Sequence, residues 1–392
     1  MALHETENRE PAGEAPAPET VSAGPPELET GGVLTIDLGA LQSNYRALRR
    51  RSSPAECAAV VKADAYGCGL APVVRALAQS GCKIYFVAHL AEGRQLRAIA
   101  PDADIYALNG LVPGSAAAFA DANVRPVIGS LTELAEWDAF CTANGWRGGA
   151  ALHFDTGMNR LGLAADEAAA LAQRTRTPDH GITLVMSHFA CAETPSHVLN
   201  NRQIQLFREI RAMFRGVPSS LANSAGIFLG SSAHGDLVRP GYGLYGGNPT
   251  PGSPNPMKPV VGLRARILQI RTLARGETVG YGATWTAHRP SRIAIVSAGY
   301  GDGYLRAASG LEAKAGAEMI VAGARCRVVG RISMDLLAID ITALPDNAVR
   351  RGEWATLLGP ELDVDSLAAS CGTIGYELLC GLGRRYSRVW TS

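Results

Sequence analysis

Between residues 57 and 239 short β-branched or apolar runs recur eight times, most of them separated by stretches rich in Ala and Leu. The runs are Cys57–Lys62, Ile84–His89, Asp104–Leu108, Arg125–Ile128, Ala150–Asp155, Ile182–His188, Ser219–Asn223 and Leu237–Arg239. The intervening segments, such as Pro72–Gln79, Leu131–Thr142 and Asn201–Phe214, carry a helical pattern. Strands joined through helices run parallel, and eight of them suggest an α/β fold built as a (β/α)8 TIM-type barrel. A Pro/Gly cluster over Asn248–Pro259 then reads as a linker. Beyond it, Val261–Leu273, Arg292–Ala298, Glu318–Arg331, Leu336–Ile341 and Ala355–Leu358 read as strands with little helix between them. Residues 1–32 are rich in Pro, Glu, Ala and Gly and too poor in bulky apolar groups to order themselves. The chain thus divides into a disordered tail over 1–32, a barrel over 33–255 and a mainly β domain over 256–392.

Composition narrows the function classes. The 37 basic and 36 acidic residues leave a formal net charge of +1, which supports neither nucleic acid nor a membrane surface as partner. No apolar run is long enough to span a bilayer, and no basic segment followed by an apolar one opens the chain. The eight cysteines contain no C-x-x-C pair, which fits reduced thiols in a cytoplasmic protein better than disulfides or a zinc site, and no metal is expected.

Lys62 closes the first apolar run, in Val60-Val61-Lys62-Ala63-Asp64-Ala65-Tyr66-Gly67-Cys68-Gly69. Burial lowers a lysine pKa, as a Schiff-base lysine requires, and strand C-termini are where barrel active sites sit. From position alone, the lysine could equally have reached solvent. Arg160, in Asp155-Thr156-Gly157-Met158-Asn159-Arg160, could be a surface residue after a turn, and His188 at the end of the sixth run a hydrogen-bonded core residue. Asn223-Ser224 and Arg239-Pro240-Gly241-Tyr242-Gly243 follow the seventh and eighth runs, whose loops frequently bind phosphate in barrels. Ser224 offers a hydroxyl there, and the N–H groups near Gly241 and Tyr242 can approach an anion closely. Tyr281, between two glycines, could be a turn or packing residue.

These motifs together resemble the alanine racemase family, over nearly the whole chain after the tail. The resemblance implies a pyridoxal 5'-phosphate enzyme of fold type III. In it Lys62 carries the cofactor, and Tyr66 helps hold the phosphate. Arg160 lies near the ring oxygen and the substrate carboxylate. Arg239 faces the pyridine nitrogen, with His188 orienting it, and Asn223, Ser224, Gly241, Tyr242 and Tyr376 complete the cofactor site. An arginine at that nitrogen leaves it unprotonated, which disfavours transamination and decarboxylation. Racemisation needs an acid/base group on each face of the substrate, and the resemblance assigns these to Lys62 and Tyr281. The N–H at Met334 would receive the substrate carboxylate, and Tyr300 and Asp335 would line the entrance. Tyr281 and Met334 come from the partner subunit in this family, so a homodimer with shared active sites is implied.

The implied activity is interconversion of L- and D-alanine for cell-wall peptidoglycan. Serine or a broader set of amino acids is the alternative, decided by pocket size, and Tyr376 leans towards a small side chain. A decarboxylase of basic amino acids shares the architecture but not the Tyr281 motif, and carrier proteins for the cofactor resemble the first domain alone. One departure stands out. Where well-studied members carry a lysine, often carbamylated, this chain has His153, which shares a strand face with Asp155. The expected role of a neutral His153 is to orient Arg160.

Overall fold

The computed structural model describes residues 20–174 and 181–392. Each of the eight apolar runs contributes a short parallel strand. Seven lie side by side in the order Ala59–Val60, Ile84–Val87, Asp104–Ala107, Arg125–Ile128, Ala150–His153, Ile182–Met186 and Ser219–Ser220. The eighth, Leu237–Val238, pairs in parallel with Glu56–Cys57, which only Ala58 separates from Ala59. On its other side the Arg239 N–H donates to Ala222 O at 2.9 Å, next to the seventh strand. The ring closes as a (β/α)8 barrel. Its strands are buried along nearly their whole length, as in Val127–Ile128 and Ala150–Leu152, because helices cover a parallel sheet from outside.

The helices alternate as their Ala/Leu pattern requires. Leu131–Asn144 shows how one is bounded. Ser130 accepts the N–H of Glu133 at 3.2 Å at its start, and Gly145, at φ +62°, stops it. After the seventh and eighth strands only short 3-10 turns occur, Gly226–Leu229 and Ser231–Ala233 after the seventh and Tyr242–Tyr245 after the eighth.

The second domain is a nine-stranded, mainly antiparallel sheet. Its order is Thr20–Ala23, Ser387–Thr391, Gly32–Asp37, Val261–Leu273, Ser291–Val296, Leu337–Asp340, Ala324–Val329, Glu318–Val321, Trp354–Leu358. The last strand pairs back onto Val261–Leu273, whose 13 residues and irregular register near Ile267 let it serve two neighbours. Two helices, Val364–Cys371 and Gly375–Gly381, follow before the final strand.

Three features differ from the sequence reading. Residues 20–32, assigned to a disordered tail, hold the strand Thr20–Ala23 and the first residue of Gly32–Asp37; residues 1–19 lie outside the described residues. Composition weighs side chains only, whereas Thr20–Ala23 joins through main-chain pairing along Ser387–Thr391. Secondly, Gly32–Asp37, counted with the barrel, pairs antiparallel with Val261–Leu273 and parallel with Ser387–Thr391, so both ends of the described chain build the β domain. Thirdly, the run Glu318–Arg331 is a hairpin rather than one strand. Ala322 and Gly323, at φ +48° and +78°, make a two-residue turn with both centres left-handed.

Candidate active site

The first strand ends at Val60, and the chain then turns in an uncommon way. Ala63, Asp64, Ala65 and Tyr66 all sit at φ +54°, a left-handed helical turn that begins directly after Lys62. For L-residues this costs roughly 1–2 kcal/mol each, so neighbouring groups must hold it. The Ala63 N–H donates to Glu92 Oε1 at 2.6 Å, and the Leu70 N–H to Asp64 Oδ1 at 2.8 Å. From the last strand, Trp390 Nε1 donates to Cys68 O at 2.7 Å and Arg388 Nη1 to Gly67 O. Lys62 is thereby fixed, half-buried, at the C-terminal mouth of the barrel. Burial, then the nearby Arg160 guanidinium, holds its ammonium pKa below the ordinary lysine value.

Lys62 lines a cavity of about 480 Å³ with Tyr66, Arg160, His188, Asn223, Ser224, Arg239, Gly241, Tyr242 and Tyr376. Ten of the sequence-predicted site residues therefore meet in one place, with volume in the range of small-molecule sites. On one wall, the Ser224 hydroxyl accepts the N–H of Gly241 at 2.9 Å and of Gly243 at 3.1 Å. The Gly241 N–H, expected to face an anion, is thus turned to Ser224, because the serine oxygen lies within reach of two amides of the loop, at 241 and 243. Asn223 Oδ1 caps the following turn through the Gly226 N–H at 2.8 Å. Tyr66 comes so close to Gly241 that a Cβ there would lie 2.3 Å from its hydroxyl. Its ring stacks on Tyr245 at 4.6 Å.

Arg239 is buried and has no carboxylate partner among the described residues. Its guanidinium donates to Ser187 O at 2.6 Å and to Ser220 Oγ, and lies 3.4 Å from His188 Nδ1. Burial pushes its pKa down to about 9, which still leaves it charged at neutral pH. Beside it, burial and the Arg239 and Arg160 charges push His153 down to about 4, and the same causes lower His188 well below the ordinary histidine range. Both imidazoles are neutral. Asp155 is occupied with the N–H groups of Gly157, Met158 and Asn159, so it leaves Arg160 exposed and without a hydrogen bond or ion pair among the described residues.

A tyrosine pair closes another side. Tyr376 stacks on Tyr242 at 4.0 Å and 14°, and the Tyr242 hydroxyl donates to Asp365 Oδ1 at 2.7 Å. Four predicted residues lie elsewhere. Tyr281 is 73% exposed, Met334 54% and Tyr300 44%, and none of them, nor Asp335, lines the cavity. They gather instead around one loop of the β domain. The Gly301 N–H donates to Met334 O at 2.8 Å, Asp335 accepts from Arg385, and Arg331 lies against Gly280 and Gly282.

Asn109, Met186 and Cys380 also line the cavity, and Glu92 and Glu193 support it; sequence reasoning singled out none of them. Glu92 had a readable signal, three residues into a helix after a strand end. Glu193 sits in a loop without periodicity or motif, and Cys380 in a helix of seven residues, too short to show a period.

The chain was compared with known proteins. Residues 36–249 match the model of the alanine racemase N-terminal domain, and residues 260–390 that of its C-terminal domain. An alanine racemase of Methylobacterium sp. (strain 4-46) is 54% identical over 92% of this chain and 98% of its own. One named "Alanine racemase, catabolic", from Mesorhizobium japonicum, is 47% identical over 95% and 97%. A crystal structure of alanine racemase from Bartonella henselae with covalently bound pyridoxal phosphate is 37% identical. It superposes with a TM-score of 0.86, covering 92% of this chain and 99% of that one.

Proposed function

The chain belongs to the alanine racemase family, and from that premise we propose that it interconverts L- and D-alanine using pyridoxal 5'-phosphate bound through Lys62. The observation that carries the reading is the cavity where a lysine of lowered pKa, an arginine unpaired among the described residues and a buried arginine meet a hydroxyl-lined cradle. These residues fit the cofactor. Only glycine at 241 leaves room for the Tyr66 hydroxyl beside Ser224, which suits a phosphate, and Arg239 has no anionic partner among the described residues. When bound, the cofactor would supply delocalisation of the charge left on Cα when its proton departs.

The chain's own residues would do the rest. Lys62, whose pKa is lowered, can take or return the α-proton on one face. Arg160 offers an open guanidinium fork to the substrate carboxylate. Arg239, held by His188 and the Ser187 carbonyl, would present a fixed positive charge to the ring nitrogen and leave that nitrogen unprotonated. His153, neutral and buried beside the two arginines, would help to orient Arg160.

Tyr281, the second acid/base group that the resemblance assigns, does not line this cavity. Tyr281, with Tyr300, Met334 and Asp335, stands exposed on the β domain. We therefore infer a homodimer in which Tyr281 of one copy completes the site of the other, with the Met334 N–H on the substrate carboxylate. The proposed role is cytoplasmic supply of D-alanine to peptidoglycan; a relative named catabolic gives a second direction. All eight cysteines are unpaired, and no described helix is long and apolar enough to cross a membrane.

Two measurements test the reading. Purified protein should show a cofactor absorbance band that disappears in Lys62→Ala. L-alanine should lose optical rotation in its presence; no loss sinks the proposal. D-alanine auxotrophy of a deletion strain supports the biosynthetic role, and failure to grow on alanine as carbon source the catabolic one.

A further inference from the structure

Four side chains bridge the strand ends of the barrel in pairs at its C-terminal mouth. Glu92, in the first turn of helix Leu90–Ile99, joins the first and second strands. Its Oε1 accepts the Ala63 N–H at 2.6 Å, and its Oε2 the Ala88 and His89 N–H groups at 2.7 and 3.1 Å. Glu133, in the first turn of helix Leu131–Asn144, joins the third and fourth, accepting from the N–H of Leu111 at 3.2 Å and of Gly129 at 2.6 Å. Gln203 spans the fifth and sixth, donating to Thr156 Oγ1 at 3.1 Å and His188 O at 2.8 Å. Ser224 spans the seventh and eighth through Gly241 and Gly243. Main-chain pairing stops at the strand ends, and the backbone groups beyond it need partners.

Glu92 differs from the others in what it holds. The last main-chain bond between the first two strands runs from the Val61 N–H to Phe86 O at 2.9 Å. The Glu92 bond falls two residues later, on the first residue of the left-handed turn. Lys62 therefore stands between two anchored amides. Glu133 has the same chemistry, but the strand ends it joins carry none of the catalytic or cofactor groups proposed above.

We propose that Glu92 is a positioning residue that fixes the backbone of Lys62 and so holds the lysine amine in the cofactor cavity. This rests on the reading of Lys62 as the cofactor lysine. Span and charge can be separated. Burial and Arg160 hold the Lys62 pKa down, and the Glu92 carboxylate acts against them. Aspartate keeps that charge but is one methylene too short to reach both strand ends. Glutamine keeps the length but brings one acceptor oxygen to two sets of N–H donors.

The test compares full-length Glu92→Gln, Glu92→Asp and Glu133→Gln apoproteins with wild type in the rate at which they bind pyridoxal phosphate. Both Glu92 variants should bind about 10- to 100-fold more slowly, the scale of loss when a reacting group is misplaced. Glu133→Gln should stay within about twofold of wild type, although its melting temperature falls as that of Glu92→Gln does. Aspartate keeps the acid in the first turn of the helix, so it carries the test if the glutamine variant does not fold. Binding within about twofold of wild type in Glu92→Asp overturns the proposal, and so does an equal loss in Glu133→Gln, which would make the bridges a property of the fold alone. In the loaded enzyme, kcat should fall while KM for L-alanine holds within about twofold; a raised KM with unchanged kcat also overturns it. Amide hydrogen exchange at Ala63 supplies a readout free of the cofactor. It should quicken in both Glu92 variants and not in Glu133→Gln, and an unchanged rate overturns the contact itself. Wild-type apoprotein that binds no pyridoxal phosphate refutes the cofactor reading instead, and leaves the exchange rates to judge Glu92.

Discussion

Replacing Gly241 by alanine should weaken cofactor binding, and the structure sets the size of the effect. At φ −126° the backbone lies outside the left-handed region, so the added methyl acts through contact. Its carbon would lie 2.3 Å from the Tyr66 hydroxyl, 3.0 Å from the ring carbon that bears it and 3.3 Å from Val60 Cβ. Ordinary contact begins at 3.4 Å, so the hydroxyl must retreat by 3.4 − 2.3, or 1.1 Å. The Tyr66 ring is buried and stacked on Tyr245, whose own hydroxyl donates to Val60 O at 3.0 Å. Retreat therefore costs about 1–3 kcal/mol in overpacking. A hydroxyl 1.1 Å out of place also forfeits a hydrogen bond to a charged phosphate, worth roughly 1.5–3 kcal/mol, or about 10- to 150-fold in Kd. The assay is titration of apoprotein with pyridoxal phosphate, with the apoprotein melting temperature reporting the packing cost separately. Tyr66→Phe should show a comparable loss of affinity, and the double variant should bind no more than about twofold worse than the weaker single variant. If folded Gly241→Ala protein bound the cofactor within about twofold of wild type, Tyr66 would not be a phosphate ligand and the cradle would have been misread.

Other outcomes follow from the same geometry. The rate of cofactor capture by apoprotein should rise with pH to a midpoint below 10.5, as burial and Arg160 hold the Lys62 pKa down; Arg160→Ala should move that midpoint upward, and an unmoved midpoint would exclude the coupling. His153 titrates near 6.5 unfolded and about 4 folded, so the unfolded state binds its proton first. Its contribution to stability is full above pH 6.5 and is lost as pH falls to about 4, on the order of 3 kcal/mol. Urea melts across that window should flatten in His153→Gln. Finally, Lys62→Ala and Tyr281→Phe proteins, each inactive, should regain about a quarter of wild-type activity when unfolded together and refolded, because half the dimers are mixed and each mixed dimer has one intact site. No recovery would place both groups in one chain.

The barrel was legible because its strands are buried on both sides and its helices carry uninterrupted Ala/Leu patterns, so period and apolarity agree. The second domain was less so. Ser387–Thr391 is a strand of mixed burial that gains its place by pairing with Gly32–Asp37, more than 350 residues away in sequence, a relation that no local pattern encodes. The motifs around Lys62, Arg160 and Arg239 led to a cavity that all three line. Glu193 stayed hidden because its value lies in what it accepts: a carboxylate in an irregular segment looks the same whether it faces water or holds a tyrosine. Likewise, nothing in Ala63-Asp64-Ala65-Tyr66 announces a left-handed turn. Alanine resists that conformation, and only contacts made by distant residues impose it.

That left-handed turn has a consequence for the order of assembly. Two of its supports, Arg388 and Trp390, are translated more than 320 residues after the segment they hold. The eight barrel strands are complete by Val238, yet until the final strand has docked the turn after Lys62 has only Glu92 and Asp64 to hold its unfavourable hand. A nascent chain can therefore complete its barrel strands while the turn after Lys62 still lacks two of its four supports. The last residues of the chain thus complete the frame of its first strand's end.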